Sequence, residues 1–251
     1  MGKKGGSRHL KRMPAPTFWP IHRKEFQWVV KPKPGPHPLR MCLPLLIVVR
    51  EIMGLAKTRK ESKIIFAEGQ VKVDGNVRRE EKFPVGLMDV IEVSSLDKAY
   101  RVVPEPNKGL TLHSIKGEEQ KFKLSRIENK TTVKGGASQL NLHDGRNILI
   151  KIKDVHKPAE DIYNVSDVLK ISIPDQKILD HIKLDEGSLA TVTGGKNIGR
   201  YGKIIKIDRR TGPFPTVVTI EDKKGNSFQT NLEYVFAVGK NKSLISLPEV
   251  D

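Results

Sequence analysis

The chain has 251 residues, 45 of them Lys or Arg against 29 Asp or Glu, for a formal charge of +16. An excess of that size points to a polyanionic partner. A single cysteine, Cys42, excludes an internal disulfide, the seven His have no metal-ligand spacing, and no apolar run reaches the roughly 20 residues of a membrane span, so no cofactor, metal, small-molecule substrate or membrane is expected.

Residues 1–40 hold ten Lys or Arg against Glu25 alone, which is +9 of the total. No apolar run follows this charge, as a secretory signal would require. Prolines at 14, 16, 20, 32, 34, 36 and 38 exclude a continuous helix or a central strand. Phe18, Trp19, Phe26 and Trp28 are interleaved with the cations. Aromatics that stack on bases beside cations that meet phosphates suit a segment that orders on RNA; the alternative is a solvated tail whose aromatics dock on the protein itself. The RNA-contacting candidates of this arm are Lys3, Lys4, Arg8, Lys11, Arg12, Trp19, Arg23, Lys24, Trp28 and Arg40.

Residues 41–96 read as a compact two-helix module. Pro44 suits a first helical turn, and Leu45, Val48, Val49 and Ile52 repeat at helical spacing up to Gly54. Thr58 and Glu61 form a capping box for a second helix from about Arg59 to Glu68, stopped by Gly69. Arg59, Lys63 and Phe66 share one face at i, i+4 and i+7, with Ile64 and Ile65 expected on the other, toward the core. Val71 and Val73 then alternate into Asp74-Gly75, a hairpin signal, and Val90 to Val93 closes a small sheet. This succession resembles the small RNA-binding module first named from a bacterial small-subunit ribosomal protein and found also in pseudouridine synthases and some tRNA synthetases. The resemblance implicates Arg59, Lys60 and Lys63 on the helix, with Lys72 and Arg78 around the hairpin, in gripping structured RNA.

Residues 97–182 alternate with turn signals and read as a mostly β central domain. Their one polar cluster is HDGR, His143 to Arg146. A catalytic His-Asp pair would need a nucleophile beside it, so the simpler expectation is a turn at Asp144-Gly145 that presents His143 and Arg146, the latter to RNA.

Residues 183–251 give five short β segments with turns between them, the spacing of a small barrel. Within them, GGKNIGRYGK starts like a phosphate-cradling loop at Gly194 and Gly199, but Arg200 and Tyr201 stand where that chemistry needs lysine and a small hydroxyl. Tight turns and close backbone approach account for the glycines instead. VTGGKNIGRYGKIIKI resembles the KOW motif of ribosomal proteins and transcription elongation factors. That likeness implies an SH3-like barrel, structural roles for Gly199 and Gly202, and RNA-facing Lys196, Arg200, Lys203 and Lys206.

Taken in order, GSRHLKRMPAP, GPHPLRMCLPL, FPVGLMDVI, HDGRN, VTGGKNIGRYG, DKKGNSFQT and ISLP resemble the archaeal small-subunit ribosomal protein family of the S-four-e type. The expected fold is therefore α+β, mostly β: an extended basic N-terminal arm (1–40), a two-helix RNA-binding module (41–96), a β-rich central domain (97–182) and a C-terminal SH3-like KOW barrel with a final strand (183–251). The resemblance implies a cytoplasmic ribosomal constituent whose partners are small-subunit rRNA and neighbouring ribosomal proteins, and which is not an enzyme. Two rivals use the same modules. A pseudouridine-synthase-like enzyme lacks its Arg-Leu-Asp phrase here, and a transcription factor read from the barrel alone explains neither arm nor module.

Overall fold

The computed structural model describes residues 7–96, 98–152, 161–210 and 214–248. In the arm, β1 (Leu10–Lys11) pairs antiparallel with β2 (Trp28–Val29). The proline-rich chain between them cannot form a ladder of its own. Arg23 holds it instead, its guanidinium donating to the carbonyls of Arg12, Met13, Ala15 and Pro16 at 2.7–3.1 Å. Trp19, a candidate for base stacking, is only 3% exposed and its indole N–H donates to the Cys42 carbonyl at 2.8 Å. The arm thus docks on the protein through Trp19, and that ring is withdrawn from the RNA-contacting set.

In the module, β3 (Cys42–Pro44) leads into α1 (Leu45–Ile47), which continues as a π-helical turn over Val48–Ile52. Every side chain from Leu45 to Val49 is fully buried, so this segment is the core of the unit rather than an amphipathic stripe. α2 (Arg59–Ala67) starts at the expected capping box: the Thr58 hydroxyl accepts the Glu61 N–H at 3.3 Å while the Glu61 carboxylate accepts from the Thr58 and Lys57 amides. Its faces are turned relative to expectation. Phe66 is 1% exposed and Ile64 is 57% exposed. Ser62 and Phe66, one turn apart, face inward with half-buried Ile65, and Lys60, Lys63 and Ile64 face out. The large aromatic ring wins the core position over the β-branched Ile64.

β4 (Val71–Val73) and β5 (Asn76–Val77) form the expected hairpin, with Asp74 and Gly75 both at positive φ (50° and 74°) as a two-residue turn demands. After β6 (Pro84–Gly86), which pairs with β3, come β7 (Val90–Val93), β8 (Lys98–Glu105) and β9 (Gly109–Ile115). These complete one five-stranded sheet in the order β5-β4-β7-β8-β9. Residues 98–115, expected to open the central domain, extend the module's sheet instead, because β8 pairs with β7.

The second sheet is built on the long strand β10 (Phe122–Thr132). Its first half pairs with β13 (Val168–Ser172) and, past a bulge between Ile127 and Asn129, its second half pairs with β11 (Ser138–Leu142). β12 (Asn147–Ile150) and β14 (Ile178–Ile182) are the edges. Ile127, Leu140, Leu142, Leu169 and Ile171 form its core. The third sheet has β15 (Leu189–Val192), β16 (Tyr201–Asp208), β17 (Val217–Asp222), β18 (Ser227–Asn231) and β19 (Val235–Gly239) in the order β18-β17-β16-β15-β19. A single 3-10 turn, Leu232–Tyr234, separates β18 from β19.

The third sheet is fastened to the others by polar contacts. The Arg126 guanidinium donates to the Val235 carbonyl at 3.1 Å, and the Ser246 amide and hydroxyl donate to the Glu119 carboxylate.

Candidate nucleic-acid interface

The basic face of the molecule begins where the arm lies beside the module. Arg8, Trp28 and Lys31 of the arm face Arg50, Lys57 and Lys82 of the module across a groove of about 770 Å³. Lys11, Lys24, Lys60 and Lys63 are exposed, and none of these four forms an ion pair among the described residues. Other candidates are engaged internally. Arg12 is buried under Phe26, with its guanidinium donating to the His22 carbonyl and to Glu25. Arg59 pairs with Glu81 through two hydrogen bonds, which raises its pKa further, so it braces the start of α2 against the strand-linking loop. Lys72 is half-buried opposite Glu92 in the sheet, and Arg78 lies over the Phe83 ring. Lys3 and Lys4 lie outside the described residues.

A second groove, about 490 Å³, brings together distant parts of the chain. Arg40 at the end of the arm, Met41 at the start of the module, Lys108 of the β8–β9 turn, Gly194-Gly195 of the β15–β16 loop and Tyr234 of the turn before β19 line it. Lys196, next in sequence to Gly195, is exposed, and Arg200 stacks over Phe228, 5.0 Å from the ring centre. Lys203 is exposed, whereas Lys206 pairs with Asp208 at 2.6 Å.

The glycines of this loop are structural. Gly202 sits so close to β17 that a Cβ would meet the Glu221 carbonyl oxygen at 2.1 Å. At Gly199, with φ +79°, a Cβ would fall 2.3 Å from the Pro106 nitrogen in the β8–β9 turn, so this position carries a contact between two sheets. Gly199→Ala is expected to cost about 1–3 kcal/mol in urea unfolding, from left-handed strain plus displaced backbone. Gly225→Ala, at φ +80° with open space around it, should cost only the strain. Equal losses would remove the contact from the account.

Outside the lining of both grooves lies a buried charge cluster that no local pattern announces. Lys123 reaches Asp74 at 3.0 Å, Asp144 at 3.0 Å and Asp89 at 2.5 Å. Arg146 pairs with Asp74 and Asp144, and His37 with Asp89. Burial raises the Asp89 carboxyl, but Lys123 and His37 outweigh it and hold it well below the usual range. Asp144 is likewise held at about 2, Lys123 against burial, and Lys123 itself is raised by the three carboxylates. The cluster ties the arm, the first sheet and the second sheet together.

The expected turn at Asp144-Gly145 is present, but it does not present His143 to a partner. His143 Nδ1 accepts the Arg126 N–H at 3.1 Å and Nε2 lies 3.2 Å from the Leu87 carbonyl, a pairing that requires the neutral, Nε2-protonated ring. Burial, with Lys123 and His37 nearby, pulls its pKa down to about 3 against the opposing pull of Asp144. Arg146 is paired with Asp74 and Asp144, so HDGR serves as a structural knot in the fold. Cys42 is buried, with its thiol pushed up to about 12 by burial and by Asp89.

Three family models match successive parts of the chain. The RS4NT (NUC023) domain matches residues 4–40, the S4 domain residues 43–91, and Ribosomal family S4e residues 96–178. The chain is 57% identical to the small ribosomal subunit protein eS4 of Staphylothermus marinus over 249 residues, covering 99% of each chain. Against the eS4 protein of Aeropyrum pernix it is 52% identical over 249 residues, covering 99% of this chain and 98% of the relative. The crystal structure of the 30S ribosomal protein S4e from Thermoplasma acidophilum is similar with a TM-score of 0.66 and 34% identity, over 82% of this chain and 98% of that one. Identity of this degree along essentially its whole length means that the chain belongs to the eS4 family of small ribosomal subunit proteins.

Proposed function

We propose that this chain is a structural constituent of the small ribosomal subunit in the cytoplasm, where it binds rRNA and holds neighbouring rRNA segments in fixed relation beside other ribosomal proteins. The observation that carries this reading is the basic groove between arm and module, together with a second groove lined by Arg40 and a buried charge cluster that joins the arm to two sheets. Each groove can take a different RNA segment, and the cluster keeps the arm and the first two sheets from shifting against each other. The third sheet supports an SH3-like barrel reading: its last strand follows a 3-10 turn and pairs back with its first strand. The cations proposed to meet phosphates are Arg8, Lys11, Lys24, Arg40, Lys60, Lys63, Lys196 and Lys203. Trp28, Lys72, Arg78 and Arg200 add stacking and groove contacts, and Lys3 and Lys4 extend the arm's charge.

Sedimentation of native extract through a sucrose gradient, before and after a salt wash, tests the assignment. The protein should travel with small subunits and remain there after the wash. Recovery at the top of the gradient would overturn it in favour of a transient factor. A finer test is the Lys60→Ala, Lys63→Ala pair, which is expected to flatten the salt dependence of RNA binding by about two in log–log slope. The same change at exposed Lys116 and Lys177 should leave the slope in place, and matching effects would sink the role of α2.

A further inference from the structure

The groove between arm and module has features that phosphate contacts alone do not call for. Its indole wall, Trp28, is 52% exposed although it is paired in a β-ribbon, and it is backed by the Lys11 ammonium at 5.7 Å and the His9 ring at 5.7 Å. Phe26, 63% exposed, is anchored above the Arg12 guanidinium beside it. The ribbon and the Arg12 contacts fix both rings where they stand, so their exposure costs apolar surface that simple docking would have covered. The opposite wall is charged. Seven cations against Glu25 and Glu51 line the groove, and both acids are already paired, with Arg12 and Arg50. Lys57 and Lys82 on that wall, and Arg8 of the arm, which also lines the groove, form no ion pair among the described residues.

A fixed aromatic platform facing unpaired cations across about 770 Å³ has the size of a pocket for a small organic group, typically about 300–1,000 Å³. A continuous duplex hides its base faces within the stack and could use the cations but not the rings. Building on the rRNA-binding reading above, we infer that this groove receives one unpaired RNA base, turned out of its helix and stacked on Trp28, while Lys57 and Lys82 hold the phosphates on either side. Stacking tolerates any base, so the site selects an unpaired nucleotide rather than a sequence.

The test uses the full chain and three short RNA hairpins: one with a single bulged 2-aminopurine, one with an abasic residue at the bulge, and one with an uninterrupted stem. The bulged hairpin should bind about ten-fold more tightly than the other two, with quenching of the 2-aminopurine emission. Trp28→Ala should abolish both the preference and the quenching, and Trp28→Phe should restore part of each. Because the chain has only two tryptophans, the buried Trp19 reports that each variant is folded. Equal affinity for the three hairpins, with salt-sensitive binding retained, would overturn the base slot and leave the rRNA-binding reading standing. Failure to bind any of them at low salt would overturn both.

Discussion

Lys123→Met is expected to remove about 3–5 kcal/mol of folding stability, because it keeps the aliphatic stem but leaves buried carboxylates without their counter-charge. Lys123 is 1% exposed, and Asp74, Asp89 and Asp144, on three separate segments, all converge on its ammonium. Arg146 still covers Asp74 and Asp144, and His37 still covers Asp89, so the loss should be large without abolishing the fold. Urea unfolding at neutral pH measures it. The pH dependence separates charge from packing. The Asp89 and Asp144 carboxyls are depressed in the folded wild type, so the stability they lend is complete above their unfolded pKa near 4 and drains only as pH falls through the lower folded values. Lys123 is raised, so its share is complete below about pH 10.4 and is lost only in strong alkali. In the variant the carboxyls protonate at higher pH and their burial penalty is relieved, so the deficit should narrow as pH falls from 7 toward 4. A deficit constant with pH would reduce Lys123 to a packing residue.

His143 adds a separate acid sensitivity that the same experiment resolves. Its folded ring stays neutral down to about pH 3, while the unfolded imidazole takes a proton near 6.5, so stability falls as pH drops across that window. Asp144, Lys123 and His37 are the charged or titratable groups around it, and Phe236 of the third sheet packs edge-on against its ring. Lys123 is one of the charges that hold the His143 pKa down, so this component is smaller in Lys123→Met and adds to the narrowing of the deficit as pH falls.

Local chemistry made part of this structure readable. The Thr58–Glu61 capping box and the Asp74-Gly75 hairpin each satisfy their backbone within a few residues, and the sequence spacing alone announces them. The face of α2 was not readable, because Phe66 and Ile64 are both apolar and only the neighbouring elements decide which one is covered. The hidden role of HDGR has the same origin. His37, Asp74, Asp89, Lys123 and Asp144 are brought together only when the arm and two sheets meet, so His143 and Arg146 looked free in a sequence where their partners are far away. Charge counting also overstated the arm, since Arg12 and Arg23 spend their donors on carbonyls within it. Conversely, exposed cations with no carboxylate near them remain the best guide to the interface.

Raising salt from about 50 to about 200 mM is expected to weaken RNA binding about 10⁴-fold, on the duplex-DNA counterion rule taken as a guide. The estimate follows from which cations are left over. Arg12, Arg23, Arg59, Arg146 and Lys206 are consumed by carbonyls or carboxylates of the chain itself. Of the cations proposed above to meet phosphates, Arg8, Lys11, Lys24, Arg40, Lys60, Lys63, Lys196 and Lys203 are exposed and outside every ion pair among the described residues, which makes eight phosphate contacts before the two at Lys57 and Lys82 in the base slot are added. Eight contacts give a log–log slope of about −7, and a four-fold rise in salt then costs about four decades. Filter binding to small-subunit RNA over that range measures the slope. A slope near −12 would mean that the internally paired arginines open to reach RNA. A slope of −2 or shallower would strip the exposed cations of their role and leave stacking and shape to carry the affinity. Removing Arg8, Lys11 and Lys24 should shallow the slope by about three, as should removing Lys60, Lys63 and Lys196, because counterion release counts phosphates and not the domain that meets them.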